Sequence, residues 1–323
     1  MKKKWAFTAA AGVLGGLFLA GVLEVGSSTG WFGLEELASP GVPSWEHSYE
    51  TTWDPSQDGV EGLSIRWAVG PVSVMPGEGP LITVTEYASR SLEEGERLAL
   101  SSSGGVLEVG WNGSLLPLGA LQDLEKRVEV KVPPELLSQL EELSCWNISG
   151  EVSVSGAFVQ ELSLGSLAGD LFLTGVSGEK AAVSTVSGDI QWSQGQAREL
   201  SVKSTSGAVQ LVGMNAQECR LKTVTGPLAY QGAGSKFFGE SVTGSLRAQL
   251  TACPAEGELG SVQGDIFLTL PENNGFQARH SSVSGHFTSD FSGSGQGGGF
   301  LYKGGGPLLS FTTTSGDVRI ARG

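Results

Sequence analysis

Four aspartates that recur at one position of a repeated motif are the residues of this sequence best placed to do chemistry. Asp170, Asp189, Asp265 and Asp317 each follow a glycine, and Glu151 takes the equivalent position. If the copies stack as strands, Asp170 and Asp189 lie about 5 Å apart, and such a pair could hold Ca²⁺, which takes oxygen ligands. Alternatively, each aspartate accepts backbone hydrogen bonds in a turn. The turn role is favoured, because the G-G-x-G-x-D nonapeptide of calcium β-rolls is absent.

The other titratable residues form no recognisable catalytic or metal-binding set. His47, His280 and His286 are too few and too scattered for a metal cluster. The basic residues near the acidic row are spread along the repeats; they are Lys180, Arg198, Lys203, Arg220 and Lys222. The sequence has no nucleophile elbow, phosphate-binding loop or metal motif. We therefore predict no catalytic, cofactor-binding or metal-binding residues, and no cofactor.

The motif that carries the aspartates is a repeat, typified by Ser187-Gly188-Asp189-Ile190. Its glycine recurs at positions 150, 169, 188, 207, 226, 244, 264, 285 and 316. The first four spacings are each 19 residues, and the last is 31 because about 12 extra residues are inserted before residue 316. Self-similarity at a fixed period of this size is typical of a solenoid.

Apolar residues alternate on both sides of each glycine, which predicts two short strands per repeat. In the repeat of Gly188, Ile190 and Trp192 follow the glycine, while Ala181 and Val183 precede it. A period of two indicates strands with one buried face. One repeat cannot bury that face alone, whereas stacked repeats close a continuous core. The predicted fold is all-β, a parallel β-helix or β-solenoid with rungs of about 19 residues; an antiparallel sandwich or propeller is the alternative.

The order of segments resembles that of a known bacterial family. An apolar N-terminal segment is followed by a lead-in region containing Val130-Lys131-Val132-Pro133 and then by serial S/T-G-D-[IVL] rungs. In this it is similar to the putative-adhesin family of unknown function, domain of unknown function 4097, over about residues 63 to 323. The resemblance implies an envelope protein of the kind found in Gram-positive bacteria, some of which take part in cell-envelope stress responses. It supplies no catalytic residues.

The three cysteines are predicted to be buried structural thiols. Cys145 and Cys219 precede rungs four apart, which places them roughly 19 Å from each other, whereas a disulfide needs Cα atoms within about 7 Å. Cys219 and Cys253 are about two rungs apart, which is also too far unless a loop bends back. A buried cysteine behaves as a small apolar residue.

Composition excludes two classes of protein. With 323 residues, 49 glycines and only 17% charged residues, the chain is too apolar to be disordered. A formal net charge of −14 argues against nucleic acid as a partner, because nucleic-acid binding rests on Lys and Arg neutralising phosphates.

The N-terminus predicts a membrane anchor. Residues 1–4 carry three lysines, and the uncharged residues 5–23 come close to the roughly 20 that span a bilayer as a helix. The charge asymmetry predicts a cytoplasmic tail at 1–4, a transmembrane signal-anchor at 5–23 and an extracytoplasmic remainder; a cleaved signal peptide is the alternative. Gly12 and Gly16 have the G-x-x-x-G spacing and could allow a homodimer.

Three further segments are predicted to lie outside the rungs. Residues 24–62 read as an irregular extracytoplasmic spacer before the solenoid domain at 63–323. Proline-led stretches at 133–143 and 270–276 read as a short helix or turn and a loop. The glycine-rich insertion 292–306 reads as a flexible surface loop, after which the chain ends on a final rung.

These patterns together predict a non-catalytic binding or scaffold module that recognises an envelope component or a partner protein. The recurring residues are explained by turn and core, so function is expected in outward residues such as Phe172, Phe267 and Arg247 and in the loops at 111–127 and 292–306. Adhesion and envelope-stress sensing are the settings that the resemblance implies. The alternative is a carbohydrate lyase or hydrolase, because β-helices host such enzymes, which is an argument from fold analogy alone.

The topology can be tested with protease. If residues 24–323 lie outside the membrane, protease added to intact, wall-stripped cells should degrade the protein. A cytoplasmic protein serves as the control and should survive. Full protection of this chain under the same conditions would contradict the predicted orientation.

Overall fold

The computed structural model of the protein describes residues 45–111, 124–296 and 299–323. In those ranges the helical elements are α1 (Pro55–Asp58), α2 (Pro134–Leu137) and a 3₁₀ turn at Glu94–Glu96. The first strands are β1 (His47–Trp53), β2 (Gly62–Val69), β3 (Val72–Pro76), β4 (Ile82–Ala88), β5 (Leu98–Ser103), β6 (Val106–Trp111) and β7 (Lys126–Val132). The central strands are β8 (Leu140–Ser149), β9 (Val152–Ser155), β10 (Phe158–Ala168), β11 (Leu171–Thr174), β12 (Ser177–Ser187), β13 (Ile190–Ser193), β14 (Gln196–Ser206), β15 (Val209–Thr225), β16 (Leu228–Ser241), β17 (Leu246–Leu250), β18 (Glu256–Gln263) and β19 (Ile266–Leu270). The last strands are β20 (Phe276–Ser282), β21 (Phe287–Ser289), β22 (Gly293–Gln296), β23 (Gly299–Tyr302), β24 (Leu308–Ser315) and β25 (Val318–Arg322).

The central strands stack in parallel on their own copies. Strands that precede the repeated glycine form sheet A, in which β10 pairs with β8 and β12. Strands that follow the glycine form sheet B, in which β11 pairs with β9 and β13. Leu171 is the partner of Ile190, so the register advances by one repeat. The predicted parallel stacking is confirmed, and the central stack does not fit an antiparallel sandwich or propeller.

The inward side chains of both sheets form one apolar core. Leu171, Ile190 and Leu228, each two residues after a glycine, have no exposed surface. Phe287, at the same position near the end of the stack, is only half-buried and packs against the core. Burying a side chain of this size stabilises the fold by about 1.5–3 kcal/mol. The alternation of apolar residues in the sequence therefore marks the core correctly.

A row of small polar side chains lies buried three residues before the glycines. Ser241 and Ser261 are each 5% exposed, and the Ser241 hydroxyl accepts a hydrogen bond of 2.8 Å from the Gly244 amide. At the first rung, the Asn147 side-chain amide donates to the carbonyl oxygens of Gly70 and Gly150. These bonds satisfy backbone groups at the corner between the sheets, where the ladder is interrupted.

The repeated glycines lie directly over one another with no room for a Cβ atom. A Cβ added to Gly188 would overlap the carbonyl oxygen of Gly169 on the preceding rung, and the same overlap occurs from rung to rung along the stack. Gly188 also has φ of +142°, a conformation that side chains rarely adopt. The glycine is thus required by the close approach of two backbones as well as by the turn.

At both ends of the stack the order of rungs in space differs from their order in the sequence. The rung β24–β25 lies between β18–β19 and β20–β21, because β24 pairs with both β18 and β20 and β25 with both β19 and β21. Similarly, the rung β2–β3 lies between β6–β7 and β8–β9. The chain does end on a rung, as predicted, but this rung is interior and not terminal.

The glycine-rich insertion 292–306 contains two paired strands, so its prediction as a flexible loop is wrong for residues 293–296 and 299–302. Strands β22 and β23 pair antiparallel, and β23 continues sheet A by pairing with β20. Tyr302 is buried, and the rings of Phe291 and Tyr302 lie 4.8 Å apart. A Cβ added to Gly293 would contact the Phe300 ring, so glycine lets the strand approach the aromatic residues. Packing against these rings orders the two glycine-rich strands, although their composition favours flexibility in isolation.

The end nearer the N-terminus is also covered by antiparallel strands. β4 pairs with β7, and β1 pairs with β4, so part of the predicted spacer 24–62 is a strand of the sheet. The sequence conceals this strand, because its burial does not alternate regularly. Lys126 and Glu86 form a buried ion pair here, with 2.6 Å between Nζ and Oε1, and the Lys126 ammonium also donates to the Glu96 carbonyl.

The proline-led segment 133–143 is only partly helical. Helix α2 covers four residues, and its last residue, Leu137, is fully buried. Leu140 and Leu143, which the sequence grouped with it, lie on β8 with their side chains in the core. Residues 271–275 connect β19 to β20 without regular structure, as predicted.

The predicted anchor at 5–23 and the Gly12–Gly16 contact lie outside the described residues. In the part of the chain that the structure describes, no helix has both the length and the apolar character needed to cross a membrane.

Replacing Gly188 with valine tests the corner. The β-branched side chain would meet the Gly169 carbonyl and an unfavourable φ, so we expect Gly188→Val to lower the free energy of unfolding by about 3 kcal/mol. Gln191→Ala, on the outer face of the same rung, should stay within about 0.5 kcal/mol of wild type. Denaturant titration measures both changes. Equal, small effects at the two positions would contradict the assigned corner geometry.

Candidate functional site

The aspartate row holds neighbouring rungs together. The Oδ1 atom of Asp170 accepts a hydrogen bond of 2.7 Å from the Asp189 backbone N–H, and that of Asp189 accepts one of 2.7 Å from Ala208 N–H. At the other end of the stack, Asp265 accepts from Asp317 N–H at 2.9 Å, and Asp317 accepts from His286 N–H at 2.8 Å. The predicted role as backbone acceptor is confirmed, although each bond reaches the next rung and does not close its own turn.

The charge environment of this row varies with its contacts. The His286 backbone N–H is the main reason that the pKa of Asp317 lies below its ordinary value. The pKa of Glu151 is raised, chiefly by burial and secondly by the neighbouring charge of Asp170. Within the described ranges, no group of three or more His, Cys, Asp or Glu side chains is arranged to hold a metal ion. The cross-rung hydrogen bonds make the row a structural element of the stack.

The cysteines sit in separate places. Cys145 and Cys219 are buried, as predicted, and burial raises the pKa of the Cys145 thiol to about 12. Burial also raises the pKa of Cys219. Cys253, predicted to be buried, is half-buried in the segment between β17 and β18. Thiols with raised pKa values are poor nucleophiles, because the thiolate is the reactive form.

The structure brings two of the three histidines near one another. His280 lies on β20 with its ring 5.8 Å from that of Phe287, and burial lowers its pKa. His286 lies at the same end, with Nδ1 3.4 Å from Asp317 Oδ1, and both side chains are largely exposed. His47 lies on β1, which belongs to the other end of the sheet. The three residues do not form a site.

The basic residues that the sequence singled out belong to the outer face of sheet A. Arg198 pairs with Glu179 and Glu199, at 3.0 Å and 2.9 Å, and Lys222 pairs with Glu240 at 2.8 Å. One column of this face is charged on every rung of the central stack; it contains Glu142, Glu161, Lys180, Glu199, Glu218, Lys236 and Glu256. A shallow cavity of about 270 Å³ lies among Lys180, Glu199 and Arg220. Exposed pairs of this kind contribute about 0–1 kcal/mol each and define no catalytic centre.

Seven adjacent strands of sheet B are different, because their outward side chains are almost free of charge; the next strand, β25, carries Arg319 at the position that pairs with Phe267. We call the neutral face the outward side chains of β9, β11, β13, β15, β16, β17 and β19. Two on each of seven strands give fourteen positions: Ser153, Ser155, Phe172, Thr174, Gln191, Ser193, Gln210, Val212, Ala229, Gln231, Arg247, Gln249, Phe267 and Thr269. Arg247 is the one charged residue among these fourteen, and its guanidinium lies 5.1 Å from the Phe267 ring centroid.

The residues expected to carry function are thus partly brought together. Phe172, Arg247 and Phe267 share one column of the neutral face, which the outward periodicity predicted. That four glutamines lie on one outer face was not predicted from the sequence, although their positions relative to the glycines could have shown this. They are Gln191, Gln210, Gln231 and Gln249. Residues 112–123, most of one predicted functional loop, lie outside the described residues, and the other predicted loop contains the paired strands β22 and β23.

These observations define an all-β, solenoid-like protein with charged and neutral outer faces. The chain belongs to the Toastrack DUF4097 family, whose profile matches residues 63–321. A structure of a putative cell adhesion protein from Clostridium sporogenes shows 11% identity and a TM-score of 0.32, covering 86% of this chain and 99% of that one. A putative adhesin from Bacteroides fragilis shows 10% identity and a TM-score of 0.43, covering 86% and 97%. No curated protein matches the sequence.

Three variants separate the structural role of the aspartates from metal binding. Asp189→Ala leaves the Ala208 N–H without its acceptor and should lower the free energy of unfolding by about 1 kcal/mol. Asp189→Asn keeps an oxygen acceptor and should lose less. Glu151→Ala is the matched control, because this side chain accepts no hydrogen bond from a described residue, and it should be close to neutral.

Chemical denaturation with and without added Ca²⁺ measures these differences. We expect the same midpoint in both conditions for the wild type. A midpoint that rises with Ca²⁺ in the wild type but not in Asp189→Ala would contradict the structural assignment of the row.

Proposed function

We propose that this protein is a non-catalytic binding module of the cell envelope, which presents the outer faces of its solenoid to an envelope component or partner protein. The observation that carries the proposal is that the recurring and the varying residues of the repeat have different roles. Residues that recur are engaged by the corner, the core or a neighbouring rung, whereas those that vary point outward in regular columns. A stack of this kind offers an extended surface, which suits a polymer or another protein.

The proposal places the solenoid outside the cytoplasm, held by residues 5–23. Its support is the charge asymmetry around that segment and its apolar length. Adhesion and envelope-stress sensing are two settings in which a surface module of this kind would act. The family assignment is consistent with either, because it describes the domain and not a reaction.

A carbohydrate lyase or hydrolase is less well supported by the geometry. Such enzymes need an acid and a base that are free to move protons at the scissile bond. Asp170 and Asp189, which stand on adjacent rungs, each use Oδ1 to bind a backbone N–H of the next rung. The recurring carboxylates are therefore already committed to the stack.

Capture experiments test the proposal directly. The purified full chain in detergent should retain at least one component of an envelope extract, and the retained component should be absent when heat-unfolded protein is used. The same preparation should leave a panel of envelope polysaccharides intact. Turnover of a polysaccharide that is lost in Asp170→Asn or Asp189→Asn, with no component retained, would replace this proposal by the enzyme.

A further inference from the structure

The neutral face stands out against the charge of the protein as a whole. The chain has 34 acidic and 20 basic residues, yet the fourteen outward positions of the neutral face include no carboxylate and one guanidinium. On the opposite side of the same rungs, the outer face of sheet A carries a charge on every rung of one column. The neutrality is therefore specific to these seven strands of sheet B and does not follow from overall composition.

The polar groups of this face are of the kind that bind hydroxyl groups. Gln191 and Gln210 are register partners on adjacent strands, and Gln231 and Gln249 are partners in the neighbouring column. Each amide offers two N–H donors and one carbonyl acceptor. Among the described residues, none of these four side chains has a hydrogen-bond partner, so all of their donors and acceptors are available to a ligand.

Aromatic rings lie at two points of the same column. Phe172 is on β11 and Phe267 on β19, five rung steps apart, which corresponds to about 24 Å at the usual strand spacing. Both side chains are half-buried, so part of each ring remains exposed; Phe172 lies beside Gln191 in this column, and Phe267 lies between Arg247 and Arg319. An aromatic ring flanked by hydrogen-bonding groups combines an apolar surface with polar contacts at its border.

We infer that the neutral face binds an uncharged, extended glycan that runs along the stack, across the strands. This inference rests on the proposed function and names its ligand class. The pyranose rings of such a chain present C–H groups to Phe172 and Phe267 and hydroxyl groups to the glutamine amides. The repeat of an extended β-1,4-linked glycan is close to the spacing between rungs, so successive sugars meet successive rungs. No charge on the ligand is needed, because the face offers almost none.

Other classes of ligand fit this surface less well. A nucleic acid would need rows of Lys or Arg to neutralise its phosphates, and the face has only Arg247. A stable protein partner usually rests on a cluster of large, closely packed anchor residues. On this face the large apolar side chains, Phe172, Val212 and Phe267, are separated by polar residues. The observations therefore favour the glycan.

The test uses the full chain in detergent and an array of uncharged β-1,4-linked oligosaccharides of increasing length, made of glucose or N-acetylglucosamine. Affinity should rise with length until the chain spans the distance between the two phenylalanines. The double variant Gln191→Ala with Gln210→Ala should weaken binding by about tenfold or more, because two or more hydrogen bonds are lost. Phe172→Ala should weaken binding to a similar degree.

Matched controls lie on the other sheet. Glu199→Gln with Glu218→Gln changes two register partners on the outer face of sheet A and should leave the affinity within about twofold of wild type. Phe238→Ala removes an outward aromatic residue of sheet A and serves as the control for Phe172→Ala. All variants should unfold close to the wild-type denaturant midpoint, since the changed side chains are on outer faces.

The outcomes separate the two proposals. Lack of binding to every uncharged oligosaccharide, equal loss in the sheet A controls, or binding restricted to acidic glycans would overturn the inference. If an envelope component is still retained by the double glutamine variant in the capture experiment, the binding-module proposal stands and the glycan assignment fails. Both the binding-module proposal and the glycan inference are supported if the uncharged oligosaccharides bind, remain intact, and lose affinity only for the sheet B variants.

Discussion

The close contact of backbones at the corner between the two sheets is the constraint on which the rest of the structure depends. At each corner the carbonyl oxygen of one glycine occupies the space that a Cβ atom of the next would need. Glycine must therefore recur at this position on every rung, and its recurrence fixes the register. Once the register is fixed, the apolar residues of one rung stack on those of the next. The core, the row of buried small polar side chains and the aspartate row then become continuous columns.

A stack of parallel strands is stable only if its ends are closed, because an exposed strand edge is a template for unwanted pairing. This protein closes both ends with antiparallel strands that the repeat does not predict. At one end the closure includes the buried pair of Lys126 and Glu86, and at the other an aromatic cluster around Phe276 and Tyr302. A buried ion pair gives little net stability against an apolar alternative, but breaking it by removing one partner is costly. It favours one arrangement of the closing strands.

The repeating part of the fold could be predicted because every rung has the same physical requirements and therefore the same residue pattern. The glycine and the apolar positions after it, such as Ile190 and Trp192, are visible without knowledge of the neighbours. The terminal strands could not be predicted in this way. β1 is only partly buried and does not alternate, and β22 consists of residues that are normally flexible. Both acquire their structure from partners distant in the chain, such as β4 and β23.

The candidate site was predicted only in part, for a related reason. The sequence identified Phe172, Phe267 and Arg247 as outward residues, since alternation gives the side on which a residue lies. It did not show that seven adjacent strands of one sheet share an almost uncharged outer face, because the charged residues of sheet A lie between the neutral stretches along the chain. Only the stacked register separates the two faces. The cross-rung hydrogen bonds of Asp170 and Asp189 could not be predicted for the same reason, because their partners are one repeat away in the sequence.

The interior position of the last rung bears on how the protein is made. Residues 308–322 are synthesised after both of the rungs between which they must lie. The central rungs can assemble as they emerge, in the order of synthesis. This end of the stack cannot close until residues 308–322 have been synthesised, so a chain that stops before them keeps an open edge at β18 and β19. Loss of residues 308–322 would then remove an inner layer and detach the outermost one.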